Sequence, residues 1–183
     1  MCDEPVATRV RTGGGWHDFQ EFMIRLGGAA VDFDAVDGVE LAGIEAAAVT
    51  PEAAAALAAA EAIVVGPSNP VISIGPILAV PGMREAIAAS EAPVVAVSPF
   101  VAGAVVKGPT ERFMAALGRP STAAGVASLY AGLIDAMVVD ADDPDPPPEE
   151  IPTLAAPTLM DGAAGRARLA RIVLDYAATL AEG

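Results

Sequence analysis

Cysteine is nearly absent from this chain. Cys2 is its one cysteine, so no internal disulfide can form and nothing points to an oxidising compartment. His17 is the one histidine, with no cysteine or second histidine to share a metal and no serine-nucleophile motif beside it. Aromatic residues are only 4% of the sequence, too few for a stacking platform on single-stranded nucleic acid. Bases are scarce as well: ten against twenty-four acids leave a net charge of −14, which argues against nucleic-acid binding. The longest uncharged run, residues 62–83, invites a membrane reading, as does the mean hydropathy of +0.50. Pro67, Pro70, Pro76 and Pro81 interrupt that run, and each removes a backbone donor that a lipid-spanning helix must satisfy. The N-terminus opens on acids with no apolar stretch, so it does not read as a signal peptide. The expectation is a soluble, cytoplasmic chain.

What is present fits one α/β domain over residues 1–183. Apolar residues make up 54% of the chain, and a fold of this size hides roughly 70% of its unfolded surface. The acid is unevenly spread. Residues 1–61 hold eleven acids and three bases, and residues 135–183 hold ten and three. Residues 62–134 hold Glu85, Glu91 and Glu111 against Arg84, Lys107, Arg112 and Arg119, a net of +1. A slightly basic centre in an acidic chain suits an anion site, although buried strands also carry few charges. Lys107 is the only lysine.

Short strands are expected at residues 7–12, 29–36, 62–65, 93–98 and 136–143, with one more within 151–159. Helices are expected at 15–27, 51–61, 81–90, 110–118, 122–135 and 162–182, with Thr110 as an N-cap and Gly118 as a C-cap. Loops are expected around Asp37-Gly38 and at 143–150. The alternation predicts a mainly parallel, Rossmann-like sheet with helices on both faces, and ligands in such folds sit at the carboxyl ends of the strands.

Three loops then carry the candidate chemistry. Residues 66–76 are uncharged and stiffened by proline. Gly66 and Gly75 permit close backbone approach, and Ser68, Asn69 and Ser73 supply short polar groups, as a phosphate needs. The same composition also describes an ordinary Pro-rich turn. Residues 98–114 start at Ser98 and place Lys107 before the helix at Thr110, where a point charge meets free amides; a lone lysine is equally a solvated one. In residues 140–145 the acids could hold Mg²⁺, but an acid run beside prolines reads more readily as a solvated loop, and no metal ligand is assigned.

The segments GPSNPVISIGPILAVPGMREAI and VVAVSPFVAGAVVKGPTERFMAALG resemble the 2-phospho-L-lactate transferases of coenzyme F-420 biosynthesis. The likeness extends to DEPVATRVRT, FQEF, GVASLYAGLIDAMVVDADD and PTLM. It implies transfer of 2-phospholactate, or enolpyruvyl phosphate, from a guanosine diphosphate-linked donor to the deazaflavin precursor Fo, with release of GMP and a need for Mg²⁺. On the matching positions, Gly66, Ser68, Asn69 and Ser73 are expected to line the donor's diphosphate, with Ser98 and Lys107 helping to neutralise phosphate charge; no catalytic residue is assigned. Relatives also begin with a glycine-rich strand, loop and helix, so the chain resembles their C-terminal portion, its sheet incomplete. The Mg²⁺ and Fo ligands are expected in the missing half, and little or no activity from the chain alone. A homodimer or a complementing N-terminal half would cover the edge so exposed. The alternative is a non-catalytic guanine-nucleotide or nucleotide-sugar binding regulator resembling the gluconeogenesis-factor-like proteins, whose loop carries Gly-Ser-Leu where Ser68-Asn69-Pro70 stand here. An inert remnant is the third reading.

Overall fold

The computed structural model describes residues 1–27 and 36–182, with backbone alone for residues 25–27. It opens with β1 (Ala7–Thr12) and β2 (Gly15–Asp18), then α1 (Phe19–Gly27) and β3 (Gly38–Ala42). Both β2 and β3 pair antiparallel with β1, which places Val10 opposite His17 on one side and Val39 on the other. Val10 is fully buried in this small sheet. The expected helix at 15–27 is therefore corrected in its first turn. Residues 15–18 answer to β1 across a turn, and Asp18 starts the helix by accepting from the amides of Gln20 and Glu21. The loop expected around Asp37-Gly38 ends at Gly38, where β3 begins. The strand expected at 29–36 lies outside the described residues, apart from Val36.

A helix, α2 (Pro51–Ala58), follows, capped by the Thr50 hydroxyl on the Ala53 amide with Pro51 at its first position. Next come β4 (Ile63–Val65), a π-type turn (Pro70–Ile74), α3 (Gly75–Leu78) and α4 (Met83–Ala88). The chain continues through β5 (Val94–Val97), a hairpin of β6 (Phe100–Val101) and β7 (Ala104–Val105), α5 (Thr110–Ala116) and α6 (Ala123–Leu129). It closes with β8 (Ala136–Asp140), β9 (Thr153–Ala156) and α7 (Gly162–Ala181).

Four of these strands form a parallel sheet in the order β4-β5-β8-β9. Every residue of β5 and β8 is buried, as continuous apolar runs covered on both faces must be. Strand alternation divides the core. Val95, Val97 and Val138 meet Leu169, Val173 and Ala177, spaced four apart along α7. Val94, Ala96, Met137 and Val139 face the other way, into the larger core with Met83, Phe113, Val126 and Tyr130. The protein is thus an α/β fold with helices on both faces of its parallel sheet.

Three further expectations are corrected. Residues 66–76 are not all loop, because from Pro70 onward they are helical. Thr110 is not the N-cap of α5; Pro109 holds that place, and Thr110 is buried as the first helical residue. The C-cap of α5 is Leu117 rather than Gly118, which follows it at a φ of 62° that a side chain would strain.

Candidate functional site

The carboxyl ends of β4 and β5 and the segment after β9 open into one cavity of about 480 Å³. Ser68, Asn69, Ser73, Ser98 and Lys107 all line it, so five of the six residues expected to bind a ligand converge. Gly66 does not line it. It sits one turn away, its carbonyl accepting from the Ser68 amide at 2.8 Å, and a Cβ there would meet nothing within 4 Å.

These residues divide by role. Asn69 is a framework residue. Its Oδ1 accepts from the amides of Val71 and Ile72 at 2.9 and 3.1 Å, starting the π-type turn, and its Nδ2 donates to the Thr110 hydroxyl at 3.2 Å. The amide thereby ties the loop after β4 to the first turn of α5, forty-one residues on. Ser98 is fully buried and turns the chain at the end of β5 by accepting from the Phe100 amide at 3.2 Å. Ser68, Ser73 and Lys107 are exposed, and among the described residues no protein group bonds their side chains. They are the groups free to meet a ligand.

The lining carries one charge, that of Lys107, and no carboxylate among the described residues. Of the four bases within residues 62–134, Lys107 alone lines this cavity, where its positive charge at the rim suits an anion. His17 lies elsewhere, within hydrogen-bond distance of the Thr12 hydroxyl.

Asp140, the first acid of the third candidate loop, does not line the cavity but supports its walls. At the end of β8 it is not a solvated loop acid but 6% exposed, with both oxygens occupied. Oδ1 accepts from Ala102 and Asp142, and Oδ2 from the amide and hydroxyl of Thr158. Burial pushes its carboxyl up, but the bonds from Thr158, Ala102 and Asp142 outweigh this and hold it below the usual range. The carboxylate joins two walls of the cavity: the β6–β7 hairpin, which supplies Val101 and Val105, and the segment Thr158–Met160. Ala102, at a φ of 49°, and Gly103, at 78°, make the tight turn of that hairpin. Nothing local in residues 140–145 distinguishes Asp140 from its neighbours; the signal is its place at the end of a buried apolar strand.

A parallel sheet covered on both faces, with a cavity at its carboxyl edge, defines an α/β protein of the Rossmann-like class. Residues 1–168 match the family of 2-phospho-L-lactate transferase CofD, and the chain belongs to that family. It is 42% identical to a phosphoenolpyruvate transferase of Kitasatospora aureofaciens, over all of this chain and 59% of the relative. It is 40% identical to a 2-phospho-L-lactate transferase of Methanosarcina mazei, over 78% of this chain and 45% of the relative. The chain thus spans about half the length of these curated relatives. Among solved structures, a Bacillus halodurans protein described as a member of the UPF0052 family shares the fold with a TM-score of 0.59 at 16% identity, over 94% of this chain and 59% of that one.

Proposed function

We propose that this chain carries the donor-binding side of a transferase that moves 2-phospholactate or enolpyruvyl phosphate from a guanosine diphosphate-linked donor to the deazaflavin precursor Fo. The observation that supports this reading is the convergence of Ser68, Ser73, Ser98 and Lys107 on one carboxylate-free cavity at the strand ends. The names of the relatives supply the reaction class. In that reaction a terminal ribityl hydroxyl of Fo attacks the phosphorus bearing the carboxylic acid. Its oxygen forms the new P–O bond, the bond to the bridging oxygen breaks, GMP departs with the electron pair, and the hydroxyl proton is lost. Catalysis of this kind rests on positioning and charge neutralisation. Lys107 and the hydroxyls of Ser68 and Ser73 stabilise the phosphate oxygens, while Asn69, Ser98 and Asp140 hold the loops that present them.

Mg²⁺, which the family resemblance implies, does not find a site in these residues. Among the described residues no three His, Cys, Asp or Glu side chains group to hold a metal, and the cavity lining offers no carboxylate.

Calorimetric titration of the full chain with GDP, and fluorescence titration with Fo, test the reading. Binding of GDP that inorganic pyrophosphate displaces supports the donor site, and absence of binding by either ligand overturns it. Binding of GDP without Fo, and without transfer in the presence of an N-terminal half from a relative, favours a nucleotide-binding regulator instead.

A further inference from the structure

A second cavity, of about 220 Å³, shares no lining residue with the one at the strand ends. The two lie against different faces of the π-type turn. Pro70, Val71 and Gly75 line the second cavity, whereas Asn69, Ile72 and Ser73 line the first. The remaining walls come from helix ends: Leu78 of α3, Leu117 after α5, and Leu129 and Tyr130 at the close of α6. These walls are apolar, and Leu117 is left 46% exposed. Apolar walls alone say little, because exposed leucines are ordinary. Two polar groups at this cavity say more.

The first is the hydroxyl of Tyr130. Its residue is only 2% exposed, and burial pushes the phenol well above its usual range, so it stays a neutral donor. A buried tyrosine ordinarily finds a partner for its hydroxyl. Here no group among the described residues bonds it. The oxygen is not sealed in either, since the buried side-chain oxygen without a partner among these residues is Oδ2 of Asp143. The little surface that Tyr130 keeps therefore includes its hydroxyl, and the opening it reaches is the cavity it lines.

The second is the guanidinium of Arg84, on α4. Its Nη2 donates to the Leu129 carbonyl at 3.1 Å, which answers the negative end of α6 and anchors the side chain one residue before Tyr130. That bond uses one of several N–H donors. Arg84 has no ion pair among the described residues, and no carboxylate lines the cavity to take the rest. Donors without acceptors above apolar walls call for an anion that carries its own apolar body.

We propose that Arg84 and Tyr130 form a second ligand site, for a small monocarboxylate whose compact apolar body rests on Leu78, Leu117 and Leu129. The size fits. A cavity of about 150 Å³ holds a benzene ring, so this one holds a ring or branched alkyl group with its carboxylate, and is too small for a nucleotide.

The test titrates benzoate and isovalerate, each beside its uncharged amide, into the full chain by saturation-transfer NMR. The tighter acid is expected to bind with a Kd of about 1 mM, and its amide about tenfold more weakly. Arg84→Gln retains an amide donor for the Leu129 carbonyl and is expected to weaken the acid about tenfold. Tyr130→Phe removes no bond to protein, so its melting temperature should match the wild type while acid affinity falls about threefold. Lys107→Ala is expected to leave the acid unaffected, because that lysine lines the other cavity. Equal affinity for acid and amide overturns the proposal, as does undiminished acid binding in Arg84→Gln. Loss of the acid in Lys107→Ala instead moves the anion to the first cavity and overturns it too. Failure of both acids to saturate the wild type by about 50 mM leaves the Tyr130 hydroxyl to water and overturns the site.

Discussion

The carboxylate of Asp140 holds Thr158 twice, its Oδ2 accepting the amide at 2.9 Å and the hydroxyl at 2.8 Å. Both residues are buried, and the second carboxylate oxygen takes the Ala102 amide, so one side chain connects the hairpin to the segment after β9. Removing it leaves buried donors unpaired, which costs more than the bonds themselves contribute. Asp140→Ala is expected to destabilise the protein by about 2–3 kcal/mol, and Thr158→Val, which removes one donor, by about 1 kcal/mol. Urea unfolding of the two variants and of the double mutant measures both values, with a coupling between them because they share a network.

The same carboxylate sets a pH dependence. Its pKa is lowered in the folded chain, so the folded state binds the proton less readily than the unfolded one. Its stabilising contribution is complete above the unfolded value of about 3.9 and is lost as the pH falls through the lower folded value. Unfolding free energies measured from neutral pH down into this range are expected to decline in the wild type. Asp140→Asn should show a shallower decline, and an identical slope in both would contradict the assignment.

Asn69 and Lys107 separate framework from ligand contact. Asn69→Ala removes the acceptor for two amides and the link to Thr110, and is expected to cost about 1 kcal/mol of stability together with GDP affinity. Lys107→Ala touches an exposed side chain with no ion pair among the described residues, so stability is expected to stay within about 0.5 kcal/mol. GDP affinity should nonetheless fall, and more steeply at low salt, because a point charge has gone from the cavity rim. Thermal melts and calorimetry on both variants distinguish the two patterns.

Much of this was legible in the residues because it is local. The short apolar runs at Ile63–Val65, Val94–Val97 and Ala136–Asp140 have the length and composition of buried parallel strands, and the loops after the first two supply the polar cavity residues. What stayed hidden depends on distant partners. Residues 15–18 carry a helical pattern but pair with β1, since cross-strand bonding overrides local preference. Thr110 looks like a cap, yet its hydroxyl is taken by Asn69, forty-one residues earlier in the chain. Asp140 looks like one acid in an acidic loop until Ala102 and Thr158 are brought to it, and the cavity wall at Leu159 and Met160 appears only once β9 lies beside β8.

Val64 lies on the edge strand at the open side of the parallel sheet. It is 45% exposed between Ile63 at 9% and Val65 at 7%, on a strand whose outer edge has no partner among the described residues. An unpaired edge carrying an exposed β-branched side chain is a template for another strand. The purified chain is expected to associate as its concentration rises, through this edge, with a second copy or with a complementing strand such as the relatives' additional length would provide. Val64→Lys places a charge on the edge and should keep the chain monomeric, while changing stability by less than about 1 kcal/mol because the side chain is already half in water. Sedimentation velocity over a concentration series reads the difference directly. Association undiminished in Val64→Lys would move the contact away from β4 and leave the exposed valine without a role.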